Sequence, residues 1–193
     1  MYLALEGIDG VGKTTQLGHL KQAFPDAVFT KEPGATALGT RIRELVLGDN
    51  DYALKSELFL FLADRAEHTQ KVVIPALDAG QDVISDRSLI SGIAYTQNDF
   101  DLEYLGELNR FAVDNVLPDK AVILTIDEAG YLERIRGRGE KEDNIEKRGL
   151  EYMMRTQERF IRAAEVLGIA FLQIDAKQNE TKIFEMIKEF VND

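Results

Sequence analysis

The chain has 193 residues, 45% of them hydrophobic and 30% charged, which suits one compact globular domain (1–193) with room for a small lid. Its 34 acidic residues outweigh 23 basic ones, and the formal charge of −11 repels nucleic-acid phosphates over most of the surface, so no nucleic-acid partner is expected. The absence of cysteine excludes disulfides, zinc–thiolate centres and cysteine nucleophiles; no apolar stretch approaches about eighteen residues and no leader-like segment opens the chain, so no membrane role is expected and a cytoplasmic protein is the default.

Taken in chain order, Tyr2 to Leu5 reads as a strand running into Gly7. Leu17 and Leu20 sit on a first helix, which Pro25 ends, and Ala27 to Phe29 gives a second short strand. Glu57 to Ala76 is a long apolar stretch of helical period. Asp82 to Ser85 gives a third strand, Asp101 to Val116 an amphipathic helix, and Ala121 to Ile126 a fourth strand. Arg134 to Arg148 is almost wholly polar and reads as a mobile excursion, a short lid. Met153, Met154, Phe160, Ile161 and Ala164 keep a helical rhythm within Glu151 to Leu167. Ala170 to Ile174 is a fifth strand, and Ile183, Phe184, Ile187 and Val191 share one face of a last helix. Strands alternating with helices predict an α/β fold with a parallel sheet covered on both faces, because parallel neighbours need crossover connections.

Residues 7–14, G-I-D-G-V-G-K-T, match G-x-x-x-x-G-K-[ST] and lie between a predicted strand and a predicted helix. Gly7, Gly10 and Gly12 let the backbone curl so that its N–H groups meet phosphate oxygens, and the helix opening near Lys13 adds its positive end. Lys13 can reach the β- and γ-phosphates of a nucleoside triphosphate, and the Thr14 hydroxyl can ligate Mg²⁺. A second cluster starts at V-I-S-D-R, residues 83–87, where an Asp–Arg pair ends a strand at the carboxyl edge that binds ligands in open α/β sheets. Asp86 can help hold Mg²⁺ through water, and Arg87 can pair with phosphate in bidentate fashion. Arg87, Ser91 and Tyr95 recur every four residues, which puts them on one helical face; Phe61 and Arg65 are likewise four apart, an aromatic face for a base beside a donor for its carbonyl. A GTP-binding switch is the competing class. L-T-I-D-E-A-G (124–130) carries D-x-x-G, but no N-K-x-D occurs and Asp127 reads better as a helix N-cap.

Six ordered motifs span nearly the whole chain: E-G-I-D-G-V-G-K-T-T-Q (6–16), T-K-E-P-G-A-T (30–36), L-F-L-F-L-A-D-R (58–65), D-R-S-L-I-S-G-I-A-Y (86–95), P-D-K-A-V-I-L-T-I-D (118–127) and R-G-R-G-E (136–140). Together they resemble thymidylate kinases of the bacterial type, within the P-loop nucleoside monophosphate kinase group. The resemblance implies a P-loop NTPase fold with a five-stranded parallel sheet, ATP as donor with Mg²⁺, dTMP as acceptor, and a homodimer. ATP is then expected over Gly7, Ile8, Asp9, Gly10, Val11, Gly12, Lys13, Thr14 and Thr15, with Arg134 and Arg138 of the lid near the donor. Asp9 would accept from the deoxyribose 3′-hydroxyl, and Glu32 and Pro33 would form part of the acceptor pocket and its magnesium shell. Phe61 would stack on thymine, Arg65 would contact O4, Arg87 would grip the monophosphate, Ser91 and Thr96 would approach the pyrimidine, and Tyr95 would crowd the 2′ position. Lys13, Arg87, Asp9, Arg136 and Arg138 carry the catalytic expectation, and Thr14, Asp86 and Glu32 the metal. The lid has Asn144 where the family often has arginine, leaving Arg148, Lys141 or Arg136 to stand in. Another pyrimidine monophosphate kinase is the nearest alternative activity.

Overall fold

The computed structural model describes residues 1–48, 50–96, 100–138 and 145–193. Among them, five strands form one parallel sheet in the order β2-β3-β1-β4-β5: β1 is Tyr2–Glu6, β2 Val28–Lys31, β3 Val83–Asp86, β4 Lys120–Thr125 and β5 Ala170–Asp175. Every residue of β1 is buried, as expected for a strand with neighbours on both sides and helices above and below. β1 pairs with β3 on one side and β4 on the other, so the order of connection reverses there and a crevice opens beyond its carboxyl end.

The helices are α1 (Lys13–Ala23), α2 (Ala37–Leu47), α3 (Leu54–His68), α4 (Ile74–Asp78), α5 (Leu89–Tyr95), α6 (Leu102–Ala112), α7 (Glu128–Arg138), α8 (Leu150–Leu167) and α9 (Glu180–Asn192). α1 packs on α9, while α5 packs on α8 and α6, and α6 also meets α3. One core joins Leu3 and Leu5 of β1, Ile123 and Leu124 of β4, Ile93 of α5 and Phe160 of α8. The long stretch expected from Glu57 to Ala76 is interrupted by a widened turn, Thr69–Val73, of the π type. Pro75 follows that turn; its missing N–H and its ring cannot join the regular ladder, and the wider turn accommodates both. No helix among the described residues is long and apolar enough to cross a membrane.

Within the expected lid, Arg134 to Arg138 form the last turn and a half of α7, a helix that Asp127 caps by accepting from Gly130 N at 2.9 Å. Glu146–Arg148 form a 3-10 turn leading into α8, while Lys141 and Asn144 lie outside the described residues.

Candidate active site

Parallel pairing with aligned register gathers the polar ends of three strands. Leu5 stands beside Asp86 and Asp86 beside Lys31, so Glu6, Arg87 and Glu32 leave the sheet at one edge. The ladder runs past them: Arg87 N donates to Leu5 O at 3.0 Å and Glu32 N to Asp86 O at 3.0 Å.

The loop after β1 turns at Gly7, whose φ is 141°; a Cβ there would lie 2.7 Å from the Leu124 carbonyl, so glycine alone lets the loop pass under β4. Gly12, with φ 98°, caps α1 and leaves the first N–H groups of the helix directed into the curl of the loop. Lys13 is the first residue of α1 and is only 7% exposed. Its Nζ folds across the loop to Gly7 O (2.9 Å) and Ile8 O (3.2 Å), with Asp9 Oδ1 at 3.8 Å. Burial, followed by repulsion from Arg87, lowers the Lys13 pKa to about 8 despite the pull of Asp9, Asp86 and Glu6.

Arg87 adopts a left-handed backbone (φ 71°), uncommon for a side-chain-bearing residue, and turns its guanidinium towards the loop. Nη2 donates to Asp9 Oδ1 at 2.8 Å, and Nη1 donates to Gly7 O at 3.1 Å and Ser91 Oγ at 3.2 Å. The same group lies 5.0 Å from the centre of the Tyr95 ring. Burial works against its charge, but Asp9, Tyr95, Asp86 and Glu6 outweigh it and hold the guanidinium protonated.

Behind Arg87 opens a cavity lined by both apolar and charged side chains, the mixture that small-ligand sites use. Asp9, Glu32, Pro33, Phe61, Arg65, Arg87, Ser91, Tyr95 and Thr96, all nominated for the acceptor, line this one cavity. Arg65 is buried and spends three N–H groups on the protein: Nε to Glu32 (2.8 Å), Nη1 to Asn109 Oδ1 (2.6 Å) and Nη2 to Ser88 O (3.3 Å). Two of its five N–H groups have no partner among the described residues. Gly92 lies directly against this guanidinium, and a side chain there would collide with it.

Both Glu32 oxygens, expected near magnesium, are engaged within the protein. Oε2 is taken by Arg65 and Oε1 by His68 Nδ1 (2.8 Å), so Glu32 serves as the internal counter-charge of Arg65. Burial raises its pKa, but Arg65 and His68 outweigh that and hold it below the usual range, keeping the carboxylate ionised. The other two nominated ligands suit a divalent cation better. Asp86 Oδ1 is buried with no hydrogen-bond partner among the described residues, a costly state for a carboxylate that an ion or its water relieves, and Thr14 is exposed in the first turn of α1 beside Lys13.

Of the lid residues, Arg134 reaches the loop: Nη1 donates to Gly10 O at 3.3 Å and Nη2 to Ala176 O. Arg136, two positions on, is exposed. Arg138 closes α7, and its side chain lies outside the described residues. Arg148 is engaged at the cavity mouth, donating to Glu57 Oε2 (2.6 Å) and Tyr152 Oη (3.0 Å), and the Tyr152 hydroxyl donates to Tyr95 O at 2.5 Å.

Several cavity and support residues carry no signal in a local motif: Arg43, Glu57, Asn109, His68 and Ile145. Arg43 donates to Pro33 O at 3.1 Å from α2, a helix whose Ile42 and Val46 spacing was its only announcement.

Residues 5–187 match the family model described as Thymidylate kinase. The chain is 48% identical over 185 residues to a thymidylate kinase of Wolinella succinogenes, covering 95% of this chain and 94% of that one. It is 44% identical over 194 residues to a thymidylate kinase of Nautilia profundicola (100% and 97% covered) and 43% identical over 197 residues to one of Helicobacter hepaticus (100% and 98%). The match spans nearly the whole chain, and the chain belongs to the thymidylate kinase family.

Proposed function

We propose that this protein transfers the γ-phosphoryl group of ATP to dTMP, giving ADP and dTDP for dTTP synthesis. The observation that carries the reading is Arg87, whose guanidinium faces Asp9 and Gly7 of the phosphate loop while lining the cavity that holds Phe61 and Arg65. Donor and acceptor anions meet across that one group.

An oxygen of the dTMP phosphate attacks the γ-phosphorus in line, and the bond from phosphorus to the β–γ bridging oxygen breaks, leaving ADP. The acceptor phosphate is already anionic near neutral pH, so no general base is required. The loop N–H groups and Lys13 hold the β- and γ-phosphates, Arg87 holds the acceptor phosphate, and Asp9 orients both Arg87 and the sugar 3′-hydroxyl. Phe61 stacks on the base, and the free N–H groups of Arg65 donate to its 4-keto oxygen. A guanidinium offers donors only, so the 4-amino group of cytosine meets it donor to donor. Tyr95, buried against Arg87, fills the space beside C2′. Thr14 and Asp86 are the residues that would hold Mg²⁺, which would supply positive charge to the transferring phosphates. Arg134 steadies the loop on the donor side.

We place this activity in a single domain in the cytoplasm, acting as a homodimer. The apolar surface of the adjoining helices α3 and α6, with Phe59 61% and Phe111 82% exposed, supports the dimer. An ATP-consumption assay with a panel of nucleoside monophosphates, and water alone as control, tests the reading. The expected result is fast turnover with dTMP, slower with dUMP, poor with dCMP, and negligible hydrolysis. Equal turnover with water, or a purine monophosphate as the best acceptor, would overturn it.

A further inference from the structure

Glu6 ends β1 one residue before the phosphate loop, and its side chain is wholly buried. Among the described residues no lysine or arginine comes within ion-pair distance of it. Its two oxygens accept instead from two serine hydroxyls, Ser88 Oγ at 2.7 Å and Ser91 Oγ at 2.6 Å. A buried carboxylate held only by hydroxyls is costly, and the mechanism above gives it no task.

Ser91 Oγ also accepts from Arg87 Nη1, and Arg87 Nη2 donates to Asp9. Four side chains thus form one line from the buried end of β1 to the phosphate loop: Glu6, Ser91, Arg87, Asp9. With Glu6 ionised, the direction of each bond is forced. A carboxylate only accepts, so the Ser91 proton points at Glu6 and its lone pairs face Arg87. Ser88 Oγ accepts from Ile90 N at 3.2 Å while donating to Glu6, so the same carboxylate also pins the first turn of α5, which carries Ser91 and Tyr95.

We propose that Glu6 is a positioning residue for phosphoryl transfer: its carboxylate orients the Ser91 hydroxyl as an acceptor for Arg87 and so holds that guanidinium at the acceptor end of the phosphate loop. This rests on the reading that Arg87 grips the acceptor phosphate. A neutral group that donates at position 6 reverses one of the two hydroxyls; if it is Ser91, a proton is turned towards the Arg87 N–H. The charged and titratable neighbours of Glu6 are Arg87 after β3, Lys13 of α1, Glu32 after β2 and Tyr2 on its own strand. Burial, opposed by the hydrogen bonds from Ser91 and Ser88 and by Arg87, raises Glu6 to about 7. The accepting form is therefore present above that pH and lost below it.

Steady-state kinetics with dTMP and ATP varied separately test the proposal on the wild type, Glu6→Gln, Ser91→Ala, the double variant and Arg87→Ala. Glu6→Gln and Ser91→Ala are each expected to raise KM for dTMP about tenfold and to leave KM for ATP within about twofold. Because the route from Glu6 to Arg87 passes through Ser91, the double variant should lose less than the two single losses combined. As pH falls below 7, wild-type KM for dTMP should climb more steeply than ionisation of the dTMP phosphate accounts for, while Glu6→Gln follows that ionisation only. A wild-type KM in Glu6→Gln, equal losses for both substrates, or additive losses in the double variant would overturn the proposal. If Glu6→Gln does not fold, Ser91→Ala decides alone, and an unchanged KM for dTMP in it overturns the proposal. Normal kinetics in Arg87→Ala would defeat the reading of the site itself; loss there, with Glu6→Gln and Ser91→Ala unaffected, defeats only the positioning role.

Discussion

Lys13 is a cation held where cations are disfavoured. With burial and Arg87 lowering it to about 8, it is charged below that pH and loses its charge as pH rises through it. A bound triphosphate restores the charge, so kcat/KM for ATP should fall above about pH 8 while kcat persists to higher pH, since the two report free and bound enzyme. A kcat/KM profile level through pH 9 would contradict this. Gly92 sets the second residue-level constraint. Gly92→Ala drives a methyl group into the Arg65 guanidinium and should raise KM for dTMP while reducing the preference for dTMP over dCMP, both measured by competition between the acceptors. Lys13, Arg87, Phe61 and Arg65 were legible in the sequence because each sits in a local pattern of fixed spacing. Asn109 was not, because it meets Arg65 across 44 positions, and the engagement of Glu32 by His68 spans 36. Such partners are created by packing, and spacing along the chain carries no trace of them.

At the level of elements, the five strands were legible and their ends were not. β1, β2, β3 and β5 each run past the last apolar residue, to Glu6, Lys31, Asp86 and Asp175. Hydrophobic patterning stops where side chains become polar, but ladder hydrogen bonds depend on backbone alone. The polar strand ends that patterning misses are the ones that build the site. α2 escaped notice for a related reason: charged residues and Gly39 dilute its apolar face. The α5–α8 contact is where packing meets function, since Phe160 is fully buried and meets Tyr95 edge-on with ring centres 5.7 Å apart. Phe160→Ala should cost about 3–5 kcal/mol of stability, read from urea unfolding, and free Tyr95 to move. A loss below about 1 kcal/mol would mean that the helix pair is not the tight wall described.

For the whole molecule, parallel topology aims every strand at one edge, so the phosphate loop and the cavity proposed for the two nucleotides open on the same side. The charges that receive them are recessed: Lys13 is nearly covered and the Arg87 side chain is 14% exposed, beneath a surface with a net charge of −11. An anion approaching from solvent therefore feels repulsion before it feels attraction. Salt screens the long-range part over about 10 Å at about 0.1 M and reaches the buried part far less. The expected outcome is a kcat/KM for dTMP that rises between low and moderate ionic strength, the reverse of a steered enzyme, and stopped-flow binding would read it directly. Hiding its cations in this way should spare the protein from indiscriminate capture of rigid polyanions, whose phosphates would not reach the bottom of the cleft as a mononucleotide would.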